Sequence, residues 1–194
     1  VALLKDVKAT DAITFVTGDT ALDGKDELNA LLAIKKLIPN ADFKKIVTIG
    51  ADAKDVALVK NVLKDVADNV AVTITNGTIS AADANAIAKG TIGALTATIK
   101  DGSVAATLKA LANVDTNDVL TFKTTDKTAK ATELVALNKL IDTFDASSVT
   151  TVTGDAKDTA DIEDALTNII PIANHPEVKI SGIVANDDLN INDI

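Results

Sequence analysis

Val47-Thr48-Ile49-Gly50 and Val72-Thr73-Ile74-Thr75 are two copies of a four-residue phrase in which apolar residues alternate with Thr or another small or polar residue. Close variants are Leu95-Thr96-Ala97-Thr98, Leu120-Thr121-Phe122-Lys123 and Thr150-Thr151-Val152-Thr153, with looser copies at 13–15 and 178–181. The second residues of consecutive phrases lie 23 to 34 residues apart. A period of this size indicates a repeated supersecondary unit, and alternation with a period of two predicts that each phrase is a strand.

Apolar residues between the phrases recur at helical spacing. Val56, Val59, Val62 and Val66 share one stripe and predict a helix over roughly 52–67. Comparable stripes predict a helix ended by Pro39, a long helix from Leu134 to Phe144, one ended by Pro171, and weaker ones over 79–87 and 104–111. Ser80, Ser103 and Asp158 suit helix N-caps, because their side-chain oxygens can accept a hydrogen bond from a backbone N–H of the first turn.

Each unit therefore consists of a strand, a turn, a helix and a short return, and strands that alternate with helices pair in parallel. We expect an α/β fold, a leucine-rich-repeat-like solenoid with a parallel sheet on one side and helices on the other. A doubly wound parallel sheet is the alternative. We expect one repeat domain over residues 1–194, with six to seven units, and the lack of a polar cap at either end predicts that it is part of a longer array or assembly.

The phrases also predict which side of the sheet is buried. Their second apolar residues are expected to face the helices: Ile49, Ile74, Ala97, Phe122 and Val152. The Thr residues are expected to form an exposed row: Thr48, Thr73, Thr96, Thr121 and Thr151. Such a face suits packing against neighbouring molecules, because β-branched residues favour strands.

Composition excludes several classes of function. The chain contains no Cys, which removes disulfides, thiolate metal sites and Cys nucleophiles. Its formal net charge is −9, and all its basic residues are Lys, which argues against a nucleic-acid partner. No apolar stretch approaches the roughly 20 residues of a transmembrane helix, so we do not expect the chain to span a membrane.

Asp-rich turns are the main candidate sites. Carboxylate oxygens at short spacing suit Ca²⁺, and we select Asp19, Asp23, Asp155 and Asp158 as candidate metal ligands. The alternative is that Asp serves only as a turn and capping residue on an acidic surface. His175 is the only histidine, and one histidine cannot form a multi-histidine metal site.

Three segments resemble repeats of large secreted bacterial surface proteins. They are Ile79–Ile87, Leu95–Gly102 and Asp145–Thr150, within a region of similarity over roughly residues 70–165. The chain is similar there to Thr/Asp/Ala-rich repeats of cyanobacterial S-layer-like, haemolysin-type and adhesin-like proteins. The resemblance implies an extracellular, non-enzymatic, structural or adhesive role, often with calcium-dependent assembly.

The sequence thus predicts a structural repeat domain of a secreted bacterial cell-surface protein, such as an S-layer or an extracellular filament. It is expected to act by self-association, so its partners are copies of itself. An adhesin-type module that binds calcium, carbohydrate or another surface is the alternative. We expect no enzymatic activity, because a small α/β enzyme would need a convergent polar pocket and the sequence indicates none.

Overall fold

The computed structural model describes residues 15–174 and 176–182. The chain divides into two units: unit 1 comprises residues 1–99 and 113–120, and unit 2 comprises residues 100–112 and 121–194. Unit 1 contains β1 (Ala21–Asp23), α1 (Lys25–Leu37), β2 (Thr48–Asp52), α2 (Val56–Val62), β3 (Ala71–Thr75), α3 (Ala81–Gly90) and β4 (Leu95–Thr98).

Strand β5 (Val119–Lys123) begins in unit 1 and ends in unit 2. The other elements of unit 2 are α4 (Val104–Ala110), β6 (Thr128–Lys130), α5 (Ala131–Asn138), β7 (Thr143–Asp145), β8 (Thr151–Asp155), α6 (Thr159–Asp164) and β9 (Glu177–Ser181). A π-helical turn continues α6 over Ala165–Ile169. Strands and helices alternate from β1 to β5, whereas β6 follows β5 and β8 follows β7 without an intervening helix. The predicted α/β class, with mostly parallel strand pairing and six α-helices, is confirmed.

Strands β1, β2, β3 and β4 of unit 1 are neighbours in chain order and pair in parallel. Their register aligns buried residues: Leu22 lies opposite Ile49, Ile49 opposite Val72, and Val72 opposite Leu95. Helix α2 packs against both α1 and α3. The predicted buried positions Ile49 and Ile74 are 1% and 5% exposed.

Unit 2 contains two parallel ladders. Strand β7 pairs with the last three residues of β5, and Phe144 of β7 stacks on Phe122 with ring centroids 5.8 Å apart. Strand β8 lies between β6 and β9, and both of its pairings are parallel. Helix α5 packs against α4 and α6.

Two predicted helices are shorter than expected. The segment predicted as a helix over 52–67 forms a 3-10 turn at Ala53–Asp55 and then α2, which ends at Val62. Val66 instead forms a parallel β-bridge with Phe43. The predicted helix from Leu134 to Phe144 ends at Asn138, and Phe144 belongs to β7, where it is half-buried.

The predicted Thr row is wrong at two positions. Thr73 does lie opposite Thr96, but Thr48 lies opposite Ala71, two residues out of step. Thr151 belongs to the other ladder, between Thr128 and Glu177. A shift of two residues keeps the same side of each strand toward the core, so the alternating pattern does not specify this register.

Two predicted helix caps are confirmed. Ser80 Oγ accepts a hydrogen bond from Asp83 N–H at 3.0 Å, and Ser103 Oγ accepts one from Ala106 N–H at 3.2 Å. Within the described residues, no helix has both the length and the apolar character needed to cross a membrane.

Candidate functional site

A polar cavity lies at the carboxyl ends of β1, β2 and β3 in unit 1. Parallel pairing brings these strand ends to one edge of the sheet, which is where α/β folds commonly bind ligands. The cavity has a volume of about 500 Å³, and we call it the carboxyl-edge cavity. Its lining residues are Asp23, Gly24, Lys25, Gly50, Ala51, Asp52, Lys54, Asp55, Thr73, Thr75 and Asn76.

Asp23 occupies space that a side chain at position 50 would fill. A Cβ added to Gly50 would lie 2.8 Å from Asp23 Oδ1, well inside van der Waals contact. Gly24, at the next position, has a φ of 85°, a left-handed conformation that favours glycine. Its N–H donates to the Gly50 carbonyl oxygen at 2.8 Å, which holds the end of β1 against β2.

Asp52 has hydrogen-bonding and ionic partners in the cavity. Asn76 Nδ2 donates to Asp52 Oδ1 at 2.7 Å, and Lys54 Nζ lies 3.1 Å from Asp52 Oδ2. These contacts, with the Asn76 hydrogen bond as the largest cause, lower the pKa of Asp52 below its ordinary value. Asp52 is therefore a carboxylate whose charge is already compensated at neutral pH.

Asp55 differs from Asp52 in that no hydrogen-bond donor among the described residues contacts its side chain. Its residue is only 7% exposed. In the described part of the chain, every side-chain oxygen that is completely enclosed has a hydrogen-bond partner. The Asp55 oxygens have no such partner, so they are not completely enclosed, and Asp55 lines the carboxyl-edge cavity. Lys54 contributes only a Coulombic interaction. A buried charge without a hydrogen bond is costly, so such groups indicate a functional site.

Unit 2 contains a second copy of this turn. Asp155-Ala156-Lys157-Asp158 follows β8 as Asp52-Ala53-Lys54-Asp55 follows β2, and each forms a 3-10 turn. In unit 2 both carboxylates have partners. Ser181 Oγ donates to Asp155 Oδ1, and Asp158 Oδ2 accepts from the Asp155 N–H at 3.3 Å in a capping box. The adjoining cavity is smaller, at about 260 Å³.

The structure separates the first pair of predicted calcium ligands. Asp19 lines a different, small cavity of about 130 Å³, whereas Asp23 lines the carboxyl-edge cavity. Asp155 and Asp158 do lie together, but they bond each other's backbone and Ser181. In residues 15–174 and 176–182 no three His, Cys, Asp or Glu side chains form a group suited to a metal, so these residues fit Ca²⁺ poorly.

Calcium binding nevertheless stays a prediction. His175 lies outside the described residues. Asp55, Asn76 and Gly50 were not selected from the sequence. The repeated Asp-Ala-Lys-Asp turn after a strand was the available signal for Asp55.

A second surface lies at the outer edge of unit 2, between α6 and β9. We call it the end groove; its volume is about 550 Å³, and its lining is mainly apolar. It is lined by Thr159, Ala160, Ile162, Glu163, Leu166, Thr167, Val178 and Ile180. Val178 is 36% exposed, which is high for a large apolar residue of a strand.

No family model, no curated protein and no solved structure matches this chain. The carboxyl-edge cavity and the end groove therefore provide the structural basis for assigning its function.

Proposed function

We propose that this chain is a non-enzymatic structural repeat domain of a secreted bacterial cell-surface protein, an S-layer or extracellular filament, and that it acts by self-association. The observation that carries the proposal is the end groove. It is an apolar surface beside β9, which among the described strands lies at the edge of its ladder, and an edge strand can pair with another strand.

The regular order of the strands supports a solenoid. In unit 1, Ala21 pairs with Thr48 and Thr48 with Ala71, so successive strands begin 27 and 23 residues apart. In a doubly wound sheet, strand order reverses at a switch point, whereas β1 to β4 run in chain order with consecutive helices in contact. Repetition of one unit is how solenoids bury a continuous core.

The end groove has the character of a surface that another unit would bury. Ile162 of α6 and Ala165 of the π-helical turn that follows are 3% and 0% exposed. Leu166 of that turn lines the groove with Ile162 and with Val178 and Ile180 of β9. We infer that a second copy of the chain covers it, because a parallel strand and its helix would extend the existing ladder and bury these side chains together.

A structural role is also supported by how the acidic side chains are used. At the unit 2 turn both Asp side chains cap or bond neighbouring residues, and Asp52 is held by Asn76 and Lys54. The extracellular location rests on the resemblance of the repeats alone. The adhesin-type alternative is favoured by one observation, the carboxyl-edge cavity, which is open to small polar ligands.

Sedimentation velocity over a range of protein concentrations tests self-association. We expect concentration-dependent assembly of the wild type, and at least a tenfold weaker association of Val178→Lys, because the substitution buries a charge in the contact. Ile92→Lys is the matched control, since Ile92 is 80% exposed and lies in unit 1. Its association should equal that of the wild type.

Three results would contradict the proposal. One is a wild type that stays monomeric at every concentration, and another is equal association of both Lys variants. The third is association that appears only after truncation at Gly182, which would show that residues 183–194 fill the groove. Electron microscopy with and without a chelator completes the test: ordered sheets or fibres in both conditions support the proposal, and chelator-sensitive monomers favour the calcium-binding adhesin.

A further inference from the structure

Asp55 carries an unexplained charge in the carboxyl-edge cavity. Its residue is 93% buried, its carboxylate has no hydrogen-bond donor among the described residues, and its remaining surface lines a cavity of about 500 Å³. The geometry points to a binding site for a small alkyl diammonium ion, with one ammonium group on Asp55 and the other on Asp23. This site is independent of the self-association proposed above.

The matching turn of unit 2 shows what Asp55 lacks. Asp158 occupies the equivalent position, but its Oδ2 accepts the Asp155 N–H and closes a capping box. The corresponding turn of unit 1 has no side-chain capping hydrogen bond. The last carboxylate of this four-residue turn is therefore hydrogen-bonded in unit 2, whereas in unit 1 it has no donor among the described residues. The turn can form with this carboxylate hydrogen-bonded, so its geometry does not explain why Asp55 lacks a donor.

The charges in the cavity favour a cation. Asp52 is compensated by Asn76 and Lys54, which leaves Asp23 and Asp55 as carboxylates without a hydrogen-bond donor among the described residues. Lys25 also lines the cavity, so three carboxylates face two lysines. This excess of negative charge would repel an anion, whereas an ammonium group would form charge-assisted hydrogen bonds with a carboxylate.

The lack of a group of three ligating side chains among the described residues favours an organic cation over a metal ion. An elongated ion with a charge at each end can reach two separate carboxylates. Thr73 and Thr75 also line the cavity, and their hydroxyl groups provide polar surface beside the ligand.

Isothermal titration calorimetry with 1,4-diaminobutane at low salt tests the assignment. We expect saturable binding of one ligand per chain to the wild type, and Asp55→Asn should weaken it by about tenfold or more, because a charged hydrogen-bond acceptor is lost. Asp158→Asn changes the net charge equally at the matched position of unit 2. It should leave the affinity within about twofold, as expected for a distant charge screened by solvent.

A ligand control, one further variant and a melting-temperature measurement keep the test decisive. 1,4-Butanediol has the same chain length without charge, and we expect no binding. Gly50→Ala places a Cβ 2.8 Å from Asp23 Oδ1 and should weaken diamine binding by moving that carboxylate. Asp55→Asn should raise the melting temperature of the free protein, because it removes a buried charge, while it abolishes the rise produced by the diamine.

The assignment is overturned if the wild type does not bind 1,4-diaminobutane, or if the diol binds equally well. Equal affinities of the wild type and Asp55→Asn would also overturn it. The titration is repeated on Val178→Lys, whose end groove is altered. Diamine binding that persists in this variant while its self-association is lost shows that the two proposals succeed or fail separately.

Discussion

The contribution of one buried carboxylate to the free energy of unfolding can be measured at Asp118. Its residue is 6% exposed, and its two oxygens accept backbone hydrogen bonds from different segments of unit 1. Oδ1 accepts the N–H of Leu95, the first residue of β4, at 2.7 Å, and Oδ2 accepts the N–H of Asp115 at 3.1 Å. The side chain therefore attaches the turn before β5 to the start of β4.

Asp118→Ala removes both acceptors. Leu95 is fully buried, so its N–H would be left in the core without a partner. Hydrogen bonds to charged groups contribute about 1.5–3 kcal/mol each, so we expect the substitution to lower the free energy of unfolding by about 3–5 kcal/mol. Asp118→Asn keeps an oxygen for Leu95 and loses the second acceptor, and we expect a loss of about 1–2 kcal/mol.

Urea unfolding at neutral pH, followed by far-UV circular dichroism, measures these losses. The chain has no Trp or Tyr, so circular dichroism is better suited than intrinsic fluorescence. Asp68→Ala is the control, because it removes the same charge from an exposed position in unit 1 and should cost less than about 0.5 kcal/mol. If Asp118→Ala is no more damaging than this control, the Leu95 contact does not stabilise the fold. If Asp118→Asn is as damaging as Asp118→Ala, the charge matters and the retained acceptor does not.

Two further predictions concern a close backbone approach and an ionised side chain. A Cβ at position 93 would lie 2.4 Å from the Val70 carbonyl oxygen. Gly93→Ala should therefore lower the free energy of unfolding by about 3 kcal/mol or more, measured by urea unfolding. Gly18→Ala is the control and should leave it unchanged, because a Cβ at position 18 would meet open space. Hydrogen bonds from Ser147 are the largest cause that lowers the pKa of Asp145 from 3.8 to about 2. Because this pKa is lower in the folded state, ionised Asp145 stabilises the fold fully above about pH 4, and this stabilisation is lost as the pH falls toward 2. Asp145→Asn should therefore reduce the fall in the urea midpoint over this pH range. A variant whose urea midpoint falls with pH as steeply as that of the wild type would contradict the reasoning.

Short-range patterns predicted much of the fold. The Thr-containing phrases indicated β2, β3, β4, β5 and β8, because alternation with a period of two is a property of a single strand. The caps at Ser80 and Ser103 were predictable since each contact joins residues three positions apart. The Asp-rich turns pointed to the carboxyl edges, but the selection of Asp19 with Asp23 did not identify residues that share a cavity.

Strand β7 was missed because its local pattern favoured a helix. Its three residues are too few to display alternation, and the apolar stripe from Leu134 continues at helical spacing into Phe144. The parallel pairing of β7 with β5, which places Phe144 opposite Phe122, shows that this residue belongs to a strand. Asp118 was equally hidden, since its partner Leu95 lies 23 residues earlier in the chain.

The sequence by itself determined the α/β class, the parallel pairing of the strands and, for the strands with Thr-containing phrases, the side that is buried. These properties follow from local periodicity, because the apolar residues of each element must face the core. Only the tertiary structure decided the register and the partners of the aspartates. A shift of two residues keeps the same face buried, so the pattern alone cannot distinguish Val72 from Ile74 as the partner of Ile49. The same limit applies to Asp52 and Asp55: the Asp52 carboxylate is bonded by Asn76 and Lys54, whereas no donor among the described residues bonds the Asp55 side chain.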